Sequence, residues 1–311
     1  MRSIKFLWLA GLLLGSGLAQ ADQAGELFER MRQAMVQQDY EGRFVYQVGS
    51  QLQSMYVVHR VNEGAELERL VALNGSNRQV IRGDRAVACL VPGKHRMSVI
   101  EGASADALGL QRPVPLDELQ QAYEFSLGDE ERVAGRKARV LHVRPRDQLR
   151  FAHDLYLDEQ TGLPLRSVML DDARQVRSQM MFVELRTGDD VTPIEHDVTA
   201  LNLADAGQIN MPASPAPADS AQWTFDGLPV GFRLAGMRNE NEAQRQHFLL
   251  TDGLAVVSLY IEPAAARGMN GFSSRGATAV YGENRHGHQV TAIGEVPKDL
   301  LQIAVRALQP K

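Results

Sequence analysis

Through residues 44–100, short runs of strand-forming residues alternate with clusters of turn formers. The runs are Phe44–Val48, Met55–Val58, Leu70–Leu73 and Ala86–Val91. Between them lie Asn62-Glu63-Gly64, Asn74-Gly75-Ser76-Asn77, Gly83-Asp84 and Pro92-Gly93-Lys94, the residues that tight turns require. Strands joined this closely must pair antiparallel, because a parallel pair needs a long crossover. The pattern predicts one meandering sheet with a face to bury.

A helix precedes it. Leu27, Phe28, Met31 and Met35 fall on one face, with Glu26, Glu29, Arg30 and Arg32 around the rest, the spacing of an amphipathic helix that can cover the sheet. Asp22 is its expected cap. After the meander comes a Gly-, Ala- and Pro-rich stretch at 101–116, then a short helix at Leu116–Tyr123. Strands resume at Tyr123–Leu127, Ala138–Val143, His153–Leu157, Leu165–Leu170 and Gln179–Leu185. A sheet of eight or more strands curls or splits, and a half-open barrel with helices in its mouth fits this order.

Residues 204–221 break the pattern with a Pro/Ala-rich linker, extended by its prolines. A smaller α+β unit is expected over 222–311, with five strand segments between Phe232 and Gly294 and a final helix starting at Pro297. Residues 267–276 read as a loop. The first 21 residues read as a secretory signal. Arg2 and Lys5 precede the apolar run Phe6–Leu14, and Ala19-Gln20-Ala21 is a cleavage site. The expected domains are therefore a signal at 1–21, a sheet domain at 22–203, a linker at 204–221 and a second domain at 222–311.

Composition narrows the function. Removing residues 1–21 takes away Arg2 and Lys5 and no acid, so the net charge moves from −5 to −7; nucleic acid is not the expected partner. Cys89 is the single cysteine, so no internal disulfide forms. No Cys lies near the cleavage site, so the exported chain is not expected to be a lipoprotein. The chain holds no zinc-binding H-E-x-x-H, nucleophile elbow, P-loop or dinucleotide fingerprint. His286 and His288, two apart, can hold a metal or decorate a polar hairpin. The expectation is a binding protein, not an enzyme, without metal or cofactor. One basic stretch stands out. Arg136, Arg139, Arg144 and Arg146 lie among seven positive charges within residues 132–150. They suit either a solvated strand edge or an anionic headgroup or acidic peptide.

Several blocks carry a resemblance. His59-Arg60-Val61, Glu68–Gly75 and Arg78–Arg82 in the first half, with Val133–Arg136, Arg144–Asp147, Tyr156-Leu157-Asp158 and Thr161–Leu165, are similar to the first domain of the MucB/RseB family. Leu228–Phe232, Arg275-Gly276-Ala277 and Val290–Pro297 extend the likeness into the second. Gln79 and Ser178–Phe182 depart from the family's pattern. The resemblance implies a periplasmic regulator of an envelope-stress, alginate-type sigma factor. Its first domain would be a LolA-like lipid-sensing half-barrel, and its second would bind the periplasmic part of a membrane anti-sigma factor. Such a protein shields the anti-sigma factor from proteolysis and lets go when lipopolysaccharide, another acyl lipid or lipoprotein signals stress. A periplasmic lipid or lipoprotein carrier is the alternative, and homo-oligomers fit either.

Residue types then nominate sites. Phe232, Arg233, Tyr281 and Arg285 pair aromatic anchors with Arg, as interface hot spots do. Leu27, Phe28, Met31, Met35, Tyr46 and Tyr56 are the candidates for lipid. Each of these also serves as plain core.

Overall fold

The computed structural model describes residues 15–76, 78–83, 86–91, 96–101, 114–193, 222–240, 244–264 and 268–311, with side chains described except at 15–21, 86–91, 96–101 and 240. The expected linker, the start of the signal segment, most of the stretch at 101–116 and the Cys89 side chain lie outside the described residues.

The first helix, α1 (Gly15–Gln37), runs through Asp22. In the uncleaved chain Asp22 thus lies inside the helix, because Ala19, Gln20, Ala21, Gln23 and Ala24 are strong helix formers that carry it backward. A meander follows: β1 (Tyr40–Val48), β2 (Gln51–Asn62), β3 (Ala65–Ala72), β4 (Gln79–Gly83), β5 (Ala86–Val91) and β6 (Arg96–Glu101). After α2 (Leu116–Ala122) come β7 (Tyr123–Val133), β8 (Arg136–Pro145), β9 (Ala152–Asp158), β10 (Pro164–Leu170) and β11 (Val176–Thr187). The turns are as tight as the sequence requires. Glu63-Gly64 and Ala134-Gly135 each place two successive residues at positive φ, the hairpin geometry matched to strand twist.

The eleven strands form one antiparallel sheet in the order β6-β5-β4-β3-β2-β1-β11-β10-β9-β8-β7. The second meander returns to lay β11 beside β1, while β6 and β7 stay at opposite edges. The sheet is open, and its inner face is covered by helices. Phe28 and Met31 of α1 pack with Leu119 of α2 against Phe125, Leu141 and Leu157. One turn on, Ala34 meets Val57, Leu165 and Phe182.

The second domain adds β12 (Trp223–Phe225), β13 (Arg233–Glu240), β14 (Arg245–Thr251), β15 (Val256–Pro263), β16 (Gly271–Arg275), β17 (Thr278–Arg285), β18 (His288–Gly294), α3 (Lys298–Ala307) and β19 (Leu308–Pro310). Six of these strands pair in the order β13-β14-β15-β18-β17-β16. Leu300, Leu301, Ala304 and Val305 of α3 fill the core beneath them. The loop expected at 267–276 is in part strand β16. Its Gly- and Ser-rich composition signals a turn, but the open backbone of β17 pairs with it at five positions.

The domains meet at a buried charge. Arg150, between β8 and β9, is fully buried. Its Nε donates to Asp252 Oδ2 at 2.5 Å, and its other nitrogens donate to Asp147 and the Val230 carbonyl. The Tyr123 hydroxyl donates to the same Asp252 oxygen at 2.9 Å. The guanidinium carbon also lies 5.0 Å from the Phe232 ring centre and 5.5 Å from that of Tyr123. Burial and then Asp252 push the Tyr123 phenol well above its ordinary range. Asp252 and Val230 belong to the second domain, so this cluster is the centre of the joint.

Removing one partner of such a buried pair costs about 3–5 kcal/mol. Arg150→Ala should therefore loosen the docking of the domains, read as a larger radius of gyration in small-angle scattering and faster proteolysis between them. Nearby His153 sets a pH dependence. Burial pushes its imidazole down to about 4, with Asp252 opposing, Arg144 adding to the push and Asp154 opposing. Below its ordinary value near 6.5 the unfolded chain binds the extra proton first, so stability falls as pH drops from about 6.5 toward 4. His153→Gln should flatten the urea-unfolding midpoint across that window.

Candidate functional site

Beyond the end of α1 the inner face of the large sheet holds a cavity of about 220 Å³. Met35 closes it from the helix. Tyr40 and Phe44 of β1, Val57 of β2, Leu70 of β3, and Met180 and Phe182 of β11 form the walls. Strand alternation explains the set. Phe44 pairs with Phe182, Gly42 with Val57, and Val57 with Leu70, all pointing to one face. The Phe44 and Phe182 rings lie 5.5 Å apart, and Tyr40 stacks on His59 at 4.7 Å. Glu68 is the one acid in the wall; Arg82 donates to it at 2.8 Å. Burial, and then Glu68, push the Tyr40 phenol upward. No group of His, Cys, Asp and Glu able to hold a metal occurs among the described residues. The walls offer apolar surface rather than reacting groups. The volume is below the roughly 300–1,000 Å³ of pockets that hold drug-sized ligands, so it suits a stretch of acyl chain.

The cavity is wired to the domain joint through two strands. Along β1, Tyr46 follows Phe44 on the same face, and its hydroxyl reaches Glu295 of the second domain at 3.5 Å. Burial, and then Glu295, raise the Tyr46 pKa. Along β11, Arg177 lies beyond Met180 and donates to the Gly276 carbonyl at 2.9 Å. Gly276, at φ +64°, lies so close to Val48 that a Cβ there would sit 2.2 Å from its Cγ1. Any larger side chain would wedge the domains apart.

The lipid candidates scatter across this geometry. Met35 lines the cavity. Phe28 and Met31 are buried in the core beneath α1, with Leu27 packed at its margin. Tyr46 is at the joint. Tyr56 points to the opposite face, where its hydroxyl donates to Glu41 at 2.8 Å and Arg43 lies over its ring. It is out of reach of the cavity, because it neighbours the inward Val57 and alternation turns it outward. Helical spacing identifies the covering stripe of α1 but not which of its turns lies over empty space.

The partner candidates are not gathered on one surface. Phe232 and Tyr281 are buried in the second domain's core. Arg285 donates to the Leu308 and Arg306 carbonyls, tying down the end of α3. Arg233 opens β13 opposite Thr251.

Three of the four candidate arginines of the basic stretch pair with carboxylates. Arg136 pairs with Asp158 at 2.8 Å, Arg139 with Glu130 and Glu159, and Arg144 with Asp154. Arg146 donates to the Gln120 carbonyl. Burial raises the Asp158 pKa, but hydrogen bonds from Arg136 and Thr161 outweigh it and hold the carboxyl below its usual range. His286 sits in a hairpin turn at φ +50°, and His288 meets Trp223 edge-on at 5.2 Å. Sequence reasoning missed Phe44, Phe182, Arg150 and Asp252. The parity of Phe44 with Tyr46 is a usable signal for the first. Nothing local links Arg150 to a residue 102 positions away.

Comparison with known proteins places this geometry in a lineage. Residues 23–201 match the MucB/RseB N-terminal domain and residues 217–309 the MucB/RseB C-terminal domain. The sigma factor AlgU regulatory protein MucB of Pseudomonas aeruginosa is 33% identical, over 100% of this chain and 98% of that protein. The sigma-E factor regulatory protein RseB of Haemophilus influenzae is 27% identical, over 94% of each. The solved Pseudomonas aeruginosa MucA/MucB complex superposes with a TM-score of 0.70 at 29% identity, covering 93% of this chain and 99% of that one. MucB in complex with MucA(peri) gives 0.68 at 28% identity, covering 93% and 99%. Both family domains are present in order, and a relative that is itself a sigma-factor regulator aligns along the whole length: the chain belongs to the MucB/RseB family.

Proposed function

We propose that this protein is a periplasmic, non-enzymatic regulator. It binds the periplasmic region of a membrane anti-sigma factor, shields that region from proteolysis, and lets go when an acyl lipid enters the cavity. The observation that carries the reading is the sharing of β1 and β11 between the apolar cavity and the domain joint. The relatives' names and their complexes with MucA support the partner class. The signal-like first 21 residues support export. No helix among the described residues is long and apolar enough to cross a membrane. A lipid carrier uses only the first domain, whereas the second is matched here over residues 217–309.

The energetics allow such a switch. A ligand moves a population only through different affinity for its two states. Going from 99:1 to 1:99 takes about 5.5 kcal/mol. At about 0.8 kcal/mol per buried CH₂, about seven methylenes supply that difference. An acyl chain that spreads Phe44 from Phe182 also moves Tyr46 and Arg177, and with them the rim of the joint.

The reading is tested first by calorimetry. The full exported chain should bind the periplasmic region of its cognate anti-sigma factor and slow proteolytic cleavage of that region. Absence of binding removes the regulatory reading. Filling the cavity tests the lipid switch. Met180→Trp should leave partner affinity near that of the wild type while abolishing release by lysophosphatidylglycerol or lipopolysaccharide. If lysophosphatidylglycerol does not weaken the wild-type complex, the acyl-driven switch is wrong.

A further inference from the structure

One row of side chains crosses the whole sheet of the second domain. Met237, Phe248, Leu259, Ala292, Tyr281 and Phe272 are cross-strand neighbours in succession, one from each strand. The first five are buried, from 0% to 5% exposed, but Phe272 is 45% exposed. Its ring lies 4.4 Å from that of Tyr281. The core row thus runs out at β16 with an aromatic residue half in water.

No further strand pairs with β16 among the described residues. Proteins blunt free edges with bulges and charges. The edge strand β7 has a register shift between Leu127 and Glu130 and carries Asp129, Glu130, Glu131 and Arg132. The edge strand β13 is bulged between Leu234 and Gly236. By contrast, β16 pairs with β17 at five consecutive positions without a shift, and Phe272, Ser273, Ser274 and Arg275 are exposed. Such an edge is a template for one more strand.

We propose that β16 accepts an extended segment of the anti-sigma partner as a seventh strand, with an apolar side chain of that segment covering Phe272. This rests on the regulatory reading above. Arg275, on the opposite face of β16, provides a cation for an acidic neighbour in the added strand. A second copy of this chain fits poorly. A two-fold axis through Ser273 sets each Phe272 against Ser274, and moving the axis to bring the two Phe272 residues together leaves only residues 271–273 paired. A heterologous strand has neither restriction. It also ends near the joint, because Gly276 after β16 lies against Val48 and accepts from Arg177. Displacement at the cavity is then transmitted to the bound segment.

The test uses the full exported chain and the periplasmic region of its cognate anti-sigma factor. Hydrogen exchange should slow at residues 271–275 when the partner is added. Phe272→Lys, at an exposed site, should keep the wild-type melting temperature and weaken the partner's Kd by at least about tenfold. Unchanged affinity in that variant, or no protection at 271–275 in a wild-type complex, overturns the proposal while leaving the regulatory reading intact. A wild-type dimer that Phe272→Lys dissociates without loss of partner affinity assigns the edge to a second copy and also overturns it. If the wild type does not bind at all, the regulatory reading fails and takes this one with it.

Discussion

The arrangement of the two domains depends on one guanidinium. A fully buried charge is tolerated only when paired and hydrogen-bonded, and Arg150 meets that condition through groups from both domains. Asp252 is itself held in place, because its second oxygen accepts from the backbone N–H groups of Leu254 and Ala255 in the β14–β15 turn. The acceptor is therefore aimed before the domains meet. A buried ion pair adds little net stability over an apolar contact, yet breaking it is expensive. In this protein it fixes the point at which the two domains meet.

Apolar packing surrounds the pair, with Leu149 against the core of the second domain and Leu254 against that of the first. Away from Arg150, the contacts include the Tyr46–Glu295 hydrogen bond at 3.5 Å and a hydrogen bond from Arg177 to the Gly276 carbonyl. Both come from strands that also wall the cavity. Strong centre and soft rim make the joint a pivot. The apolar cavity lies on the side of the large sheet where small displacements of β1 and β11 reach the rim first.

Much of the fold is legible in the sequence because its information is local. Turn formers such as Glu63-Gly64 punctuate the strands, the stripe of α1 announces a covering helix, and Pro297 announces α3. The site is less legible because it depends on register and distance. The basic stretch illustrates the difference. Arg139 meets Glu130 because a bulge after Leu127 shifts the pairing of β7 with β8, and Arg136 finds Asp158 a strand away. Arginines that look like a binding patch along the chain are in part paired with acids across the sheet. Likewise, Phe232 and Tyr281 have the composition of interface anchors, but tertiary packing spends them in the core. Phe272 sits in a stretch that reads as a loop, and only its pairing with Tyr281 gives it meaning.

The strengths of these contacts also constrain how the regulator moves. Full separation of the domains exposes to water both the Arg150 cluster and the apolar packing of Leu149 and Leu254 around it. The roughly 5.5 kcal/mol that reverses a 99:1 population would have to cover that exposure too. A ligand that separated the domains would have less left with which to release a partner. The rim hydrogen bonds are worth only about 0.5–1.5 kcal/mol each. The cheaper movement keeps Asp252 on Arg150 and swings the β16–β17 hairpin away from Val48 and Arg177. A strand held on β16 would then lose its abutment on the large domain while the two domains stay joined. Release by rotation about a retained ion pair is thus the motion that this distribution of contacts favours over dissociation of the domains.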